Sequence, residues 1–446
     1  MDISPLQLAR IQFTGSASFL AFFLPMTLAL AWVLLFFKWR ARVTRDPGWT
    51  AAYRFWVRVY ALAFVLTLAG SVPLLFQLGS LWAGLMDKIG NVAGPLIGYA
   101  VLSVFIFKSC FLGVMLFGQR RVSPAVHTFS IFMVAIGQMA AVFWVVVLQS
   151  WLETPTGARF FDGRYQVFDW PAVVFNPALG WQLGLFALTS ALAAAFLIMG
   201  VTAWQALRRP LDHAEKLAFK AAVVLGALAV VLQVPVGVGS ARVTALHQPA
   251  KAAAVAAYWE TGAQPSFTLW GIPDSRQKRT RHDVTVAHGS TLLGQDAITG
   301  QFQGLDTYSG MHPPVGPIFF TVRVAVLLAI VMGLTAWVVF LRVRNRGFDP
   351  SVLSRASLRG VSLLMFAGSL SGVLHTWIYL FGMQPYAVNG TVTQTEILGP
   401  AASGSLALAL TSYTALYVLL IVAFLAMLFH AARYGVIPVR KVGRAA

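Results

Sequence analysis

The chain has 446 residues, 58% of them hydrophobic and only 11% charged, and its mean hydropathy is +0.72. A soluble domain carries roughly 25% charged residues, so the composition excludes a water-soluble enzyme and describes an integral membrane protein. The formal net charge of +18 would suit nucleic acid, but its distribution along the chain excludes that partner, and a single cysteine, Cys110, excludes internal disulfides and any cysteine-based metal or iron–sulfur site.

The opening stretch, MDISPLQLARIQF, is polar and weakly amphipathic, and the apolar run after it is long enough to cross a bilayer. That predicts a retained first span rather than a cleaved leader. Windows of about 20 apolar residues predict nine spans, near 15–37, 54–77, 93–117, 126–150, 181–206, 217–238, 318–341, 360–381 and 406–430. The basic residues gather in alternate connections. The first holds Lys38, Arg40, Arg42, Arg45, Arg54 and Arg58; the third, Arg120 and Arg121; the fifth, Arg208, Arg209, Lys216 and Lys220. The seventh holds Arg342, Arg344, Arg346, Arg355 and Arg359, and the tail Arg433, Arg440, Lys441 and Arg444. The positive-inside rule then predicts an N-terminus outside and a C-terminus in the cytoplasm. Most of the positive charge is therefore topology, with some attraction for anionic membrane lipid.

This order predicts an N-terminal membrane bundle of six spans (1–238), an extracytoplasmic loop (239–316) and three C-terminal spans (317–446). The loop contains QPAKAAAVAAYWETGAQPSFTLWGIPDSRQKRTRHD and ends in GMHPPVGP. It opens with an alanine-rich helical stretch, continues through a Pro/Gly-broken aromatic segment, and becomes basic and polar. A loop of this length is usually functional or mobile. Its aromatic and amphipathic content suits a membrane-surface site for a lipid-like molecule such as a quinol; a docking surface for a partner subunit fits the same composition equally well.

Groups able to carry chemistry inside the spans are few. Of eight histidines, His213, His247, His282, His288 and His312 fall in loops, and His127 and His430 at predicted cytoplasmic span ends, where snorkelling is the plain explanation. Only His375, in SGVLHTWIYLF, is well inside. Intramembrane carboxylates, the usual carriers of proton relays, are absent from the predicted spans. Gln138 and Gln149 in the fourth span suit hydrogen bonding between helices. The third span, VLSVFIFKSCFLGVMLFG, holds one charge near its middle, Lys108, and an intramembrane ammonium is a functional-site hypothesis by default.

Several strings together resemble subunit I of the cytochrome bd-type quinol oxidases. They are LARIQFTGSASFLAFFLPMTLALA in the first span and FGQRRVSPAVHTFSIFMVAIGQMAAVFWVVVLQSWLETP across the fourth, then VVFNPALGW, MGVTAW, YWETGAQPSFTLWGIPD, VGPIFFTVRV and GMQPYAV. They occur in family order over nearly the whole chain. The resemblance implies an all-α membrane protein of nine transmembrane helices in a bacterial or archaeal cytoplasmic membrane, with haems b and d among its spans and quinol at the outer loop. It also implies that this chain lacks the haem ligands. The family's first-span histidine falls at Leu20, its fifth-span histidine at Leu185 and its seventh-span methionine at Ala325, two residues after a retained arginine, Arg323. Of two third-span glutamates, one falls near Tyr99–Ala100 and the other at Lys108; a further glutamate falls at Leu380 and the arginine after it at Met383. In the outer loop the family lysine is kept as Lys251, while its companion glutamate becomes Ala256.

Leu and Ala have no lone pair to offer iron. The resemblance therefore implies a degenerate, non-catalytic subunit that ligates no cofactor itself and scaffolds a partner carrying haem b and haem d. Lys108 then fills space near a former cofactor region, paired with a carbonyl, a lipid phosphate or a partner carboxylate; proton transfer and snorkelling are its alternatives. The quinol-loop candidates are Lys251, Trp259, Glu260, Trp270 and Asp274. Two other readings stay open: a redox subunit holding haem through a different ligand, His375 first, and a transporter or lipid-binding protein on the same scaffold.

Overall fold

The computed structural model describes residues 4–263, 266–286, 301–308, 310–400 and 403–435. His288 and the tail residues Arg440, Lys441 and Arg444 lie outside the described residues. In chain order, α1 (Pro5–Thr44), α2 (Pro47–Ser80), α3 (Ala83–Phe117) and α4 (Pro124–Glu153) lead into a small hairpin, β1 (Ala158–Phe161) and β2 (Arg164–Val167). A short α5 (Trp170–Val174) precedes α6 (Leu179–Ala206) and α7 (His213–His247). The long connection holds α8 (Pro249–Ala256), β3 (Gly262–Ala263), β4 (Phe267–Asp274), β5 (Arg279–Val286) and β6 (Gln301–Phe302). Then come α9 (Val315–Val343), α10 (Arg355–Leu363), α11 (Ala367–Met383), β7 (Tyr386–Val388), β8 (Val392–Thr393), α12 (Gln394–Ile397) and α13 (Ser403–Tyr434).

Nine helical segments among the described residues are long and apolar enough to cross a membrane, as the windows predict. The helices outrun those windows. α1 has 40 residues, ~60 Å at 1.5 Å per residue, against a hydrocarbon core of about 30 Å, so its ends project from the bilayer. Its start is built for that: Ser4 and Gln7 form a capping box and Pro5 occupies the first turn.

The eighth span departs from a single helix. α10 and α11 are separated by a 3-10 turn at Leu364–Phe366. Close backbone approaches explain the break. A Cβ on Gly200 of α6 would lie 2.6 Å from Met365 Cα, and one on Gly372 of α11 would lie 2.8 Å from the Ala21 carbonyl of α1. α6 runs through the middle of the bundle, and Leu192 to Met199 on it are all buried. The alanine run there lets α1, α10 and α11 come within backbone distance.

Because the spans alternate, the connections 81–82, 154–178, 248–314 and 384–402 share one face, here the loop face. Those at 45–46, 118–123, 207–212 and 344–354 share the other, the basic face. The loop face is stitched across its elements. The Asn389 amide nitrogen donates to Leu152 O at 2.9 Å, Tyr165 and Thr391 share a 2.7 Å hydroxyl bond, and Asn91 donates to Tyr165 O at 3.1 Å. Glu396 accepts from the Thr393 hydroxyl and amide and pairs with Lys88, which together hold its carboxyl down to about 2.

Candidate functional site

The deepest charge on the loop face is a pair. Glu153 ends α4, and Lys251 lies in the first turn of α8, where the long connection folds back over the bundle. Lys251 Nζ donates to Glu153 Oε1 at 2.6 Å, and each side chain is 7% exposed. Gly382 of α11 leaves room for the lysine stem, since a Cβ there would come within 2.5 Å of Lys251 Cε. Gln182 of α6 donates to the other carboxylate oxygen, and Gln248 donates to the Glu153 carbonyl at 3.3 Å. An ion pair this buried persists only when further hydrogen bonds replace the lost water, and the two glutamines supply them.

The same glutamines leave something over. Gln182 Oε1 and Gln248 Oε1 are buried without a partner. Both residues line a hollow shared with Thr154, Trp181, Ser240 and Thr244, with room for about one water molecule. His375 and Tyr379 of α11 lie close enough to feel the Glu153 charge. The arrangement can hold a small hydrogen-bond donor beside an ammonium–carboxylate pair.

The five quinol-loop candidates do not converge on this pocket. Lys251 alone is connected to it, through its ion pair with Glu153. Trp259 donates to Thr280 Oγ1 at 3.1 Å, and Glu260 is exposed. Trp270 stands on the outer face of the β4–β5 hairpin. Asp274 caps the hairpin turn through the Gln277 and Arg276 amides and pairs with Arg281 at 2.6 Å, contacts that hold its carboxyl below the usual range.

Arg323 of α9 is committed to the loop. Its guanidinium donates to four carbonyls: Val255 at 2.7 Å, Phe319 at 3.0 Å, Thr268 at 2.5 Å and Leu269 at 3.1 Å. It also lies 3.2 Å over the Phe319 ring. One cation thus ties α8 and β4 to α9.

The three positions read as former haem ligands, Leu20, Leu185 and Ala325, are all partly buried. Around Leu20 the interior is occupied by rings. Phe19 stacks on Tyr417 at 4.4 Å, Phe23 meets Phe424 at 5.1 Å, and Phe22 meets Phe366 at 5.6 Å. Gly184, beside Leu185, would place a Cβ 3.0 Å from Val236. Among the described residues no three His, Cys, Asp or Glu side chains gather where they could hold a metal ion.

In the middle of the bundle, Gln138 of α4 joins three helices. Its Nε2 donates to Thr27 Oγ1 at 2.7 Å, Tyr60 donates to its Oε1 at 3.4 Å, and Thr27 meets Thr67 at 3.3 Å. Lys108 makes no ion pair among the described residues. Its ammonium sits 4.2 Å from the Phe64 ring centroid, a cation–π contact in a buried position. His127 does not snorkel. It is 1% exposed, lies against Tyr53 at 5.5 Å, and neither ring nitrogen makes a hydrogen bond. His430 is exposed and lies 4.8 Å from Tyr434.

Comparison with known proteins points one way. The family profile described as cytochrome bd terminal oxidase subunit I matches residues 8–436. Cytochrome bd ubiquinol oxidase subunit 1 of Bacillus subtilis (strain 168) is 26% identical over 436 residues, 94% of this chain and 91% of that protein. Cytochrome bd-II ubiquinol oxidase subunit 1 of Escherichia coli (strain K12) is 27% identical over 303 residues, 67% of this chain and 59% of that protein. The solved bd oxidase from Geobacillus thermodenitrificans superposes with a TM-score of 0.85 at 20% identity, over 96% of this chain and 98% of that one, which shows the shared fold.

Two substitutions test the buried charges. Lys251→Met strands Glu153 without its counter-ion and should cost about 3–5 kcal/mol of stability; the Glu153→Gln, Lys251→Met double variant should recover much of that. Denaturant unfolding of the detergent-solubilised chain reads both. Lys108→Met replaces an unpaired buried ammonium by an apolar side chain of similar volume, so thermal stability of the isolated chain should hold or rise. A clear fall would show that the Lys108 charge has an anionic partner.

Proposed function

The chain belongs to the cytochrome bd terminal oxidase subunit I family, and we propose that within a bd-type quinol oxidase it acts as a scaffold subunit that ligates no haem of its own and supports a haem-bearing partner. The observation that carries the reading is the chemistry of the ligand positions. Leu20, Leu185 and Ala325, which the resemblance sets at the family's ligand positions, present carbon there instead of imidazole or thioether, and haem iron needs a nitrogen or sulfur lone pair. These residues do not fit the group. Aromatic stacking next to Leu20 and the engagement of Arg323 by four carbonyls are what a refilled interior would look like. Haem b and haem d then belong to the partner, and the chain contributes shape, interface and the loop-face pocket. Quinol remains a ligand class for the outer loop as a whole, while the hollow beside the Glu153–Lys251 pair suits only a small donor such as water.

A second reading rests on specific observations as well. His127 is a buried imidazole with no hydrogen bond, and His375 lies in α11 close to the Glu153–Lys251 pair. Either could ligate haem in place of the family residues.

Purification from native membranes separates the readings. The scaffold reading expects a co-purifying haem-bearing subunit, no Soret band from this chain expressed alone, and a fall in assembly and oxidase activity together when the chain is removed. A stoichiometric Soret band in the isolated chain, abolished by His375→Ala or His127→Ala, would overturn it and establish the second reading. The orientation drawn from the basic connections is tested separately. A reporter fused after Ala446 should read as cytoplasmic and one inserted near Gly300, outside the described residues, as external; opposite signals would reverse the membrane orientation.

A further inference from the structure

The basic stretch of the long connection is a two-stranded hairpin whose outer face is largely exposed among the described residues. β4 pairs antiparallel with β5, with Trp270 opposite Val284, Ile272 opposite Arg281 and Asp274 opposite Arg279. Residues directly opposite share a face, so Trp270, Val284, Ile272, Arg281 and Arg279 stand together. The other side is anchored: Trp259 bonds Thr280, and Arg323 holds the Thr268 and Leu269 carbonyls. The outer face is left with Trp270 at 55%, Ile272 at 52% and Val284 at 57% exposure. Apolar exposure of that kind, on a segment outside the spans, needs a cover.

Its position says what the cover is. The Trp270 ring packs edge-on against Phe320 of α9 at 6.0 Å. Phe320 begins a stripe of exposed apolar residues down that helix, Val324, Leu327, Val331 and Leu334, at the four–three spacing of a single helix face. In a membrane protein such a face meets lipid. The hairpin face therefore continues the lipid-facing side of α9 to the level where hydrocarbon gives way to headgroups, the depth at which tryptophan is enriched.

The charges fit the same depth. Arg281 is neutralised by Asp274, whereas Arg276, Lys278 and Arg279 are exposed and have no carboxylate within ion-pair reach among the described residues. Elsewhere on the loop face Lys88 of α3 is bonded to Glu396, and Arg159 and Arg164 of the β1–β2 hairpin are also exposed without an ion pair among the described residues. Three free cations beside exposed Trp and Ile match anionic headgroups above an acyl region.

We propose that the β4–β5 hairpin is an interfacial anchor that lays Trp270, Ile272 and Val284 into the adjacent leaflet, with Arg276, Lys278 and Arg279 on anionic phospholipid headgroups. The anchor holds the long connection at the bilayer surface, beside the Lys251 pocket, and is independent of whether the chain ligates haem.

The test places a nitroxide on Ile272→Cys in the full chain, with Cys110→Ser removing the single native thiol, in nanodiscs of phosphatidylcholine with and without phosphatidylglycerol. Power-saturation accessibility to oxygen and to a water-soluble nickel chelate reads depth. The label should be oxygen-accessible and chelate-protected with phosphatidylglycerol present, and this protection should weaken without it. It should also be lost in the Arg276→Gln, Lys278→Gln, Arg279→Gln variant at the same lipid composition. A label that stays chelate-accessible in phosphatidylglycerol nanodiscs would overturn the proposal. So would protection that depends on an acidic partner protein rather than on lipid, or protection that persists unchanged in the triple variant.

Discussion

A polar group inside hydrocarbon has no water to fall back on, and that constraint organises this molecule more than any single contact does. Several amide side chains within the bundle are tied to another helix. Gln138 joins α1, α2 and α4 through Thr27 and Tyr60. Ser16 accepts from Gln77 of α2 at 2.9 Å and from Tyr417 of α13 at 3.0 Å. Trp377 of α11 reaches back to Ser18 at 2.7 Å. Each knot fixes rotation and depth of the helices it joins, which dispersion between apolar faces alone leaves loose. Where two backbones must meet, small residues replace polar ones, as at Gly200 and Gly372.

The same constraint makes the loop-face ion pair informative. Removing two charges from water is repaid only by close geometry and complete hydrogen bonding, and Glu153–Lys251 has both through Gln182 and Gln248. The two amide oxygens left over stand beside that charge pair, whereas the other buried acceptors without partners, such as Gln12 Oε1 and Gln77 Oε1, lie elsewhere in the bundle. A fold that closes most of its polar groups and leaves two buried acceptors beside a charge pair has kept a place for a donor.

The spans were legible because about twenty apolar residues in a row admit few other readings, and their number and order follow. The break between α10 and α11 was not, since Leu364, Met365 and Phe366 are as apolar as a continuous helix would be; only the approach of α6 decides it. The hairpin was hidden for a different reason. Two register shifts, between Thr268 and Trp270 and between Trp270 and Ile272, interrupt the alternation that marks a strand. In the site, Lys251 could be singled out from its string, but its partner could not, because Glu153 is 98 residues away on another span end. The signal that would have helped is compositional: Glu153 and Gln182 are polar residues beside two predicted span ends, and Gln248 lies in the predicted outer loop on the same side of the membrane, where long side chains can meet without crossing hydrocarbon.

Two cations at the long connection, Lys251 and Arg323, bond to the chain itself. Arg323 is bound by four carbonyls and Lys251 by a carboxylate on α4. Contacts made within one chain need no ligand to form, so they can hold the long connection against the bundle before anything binds.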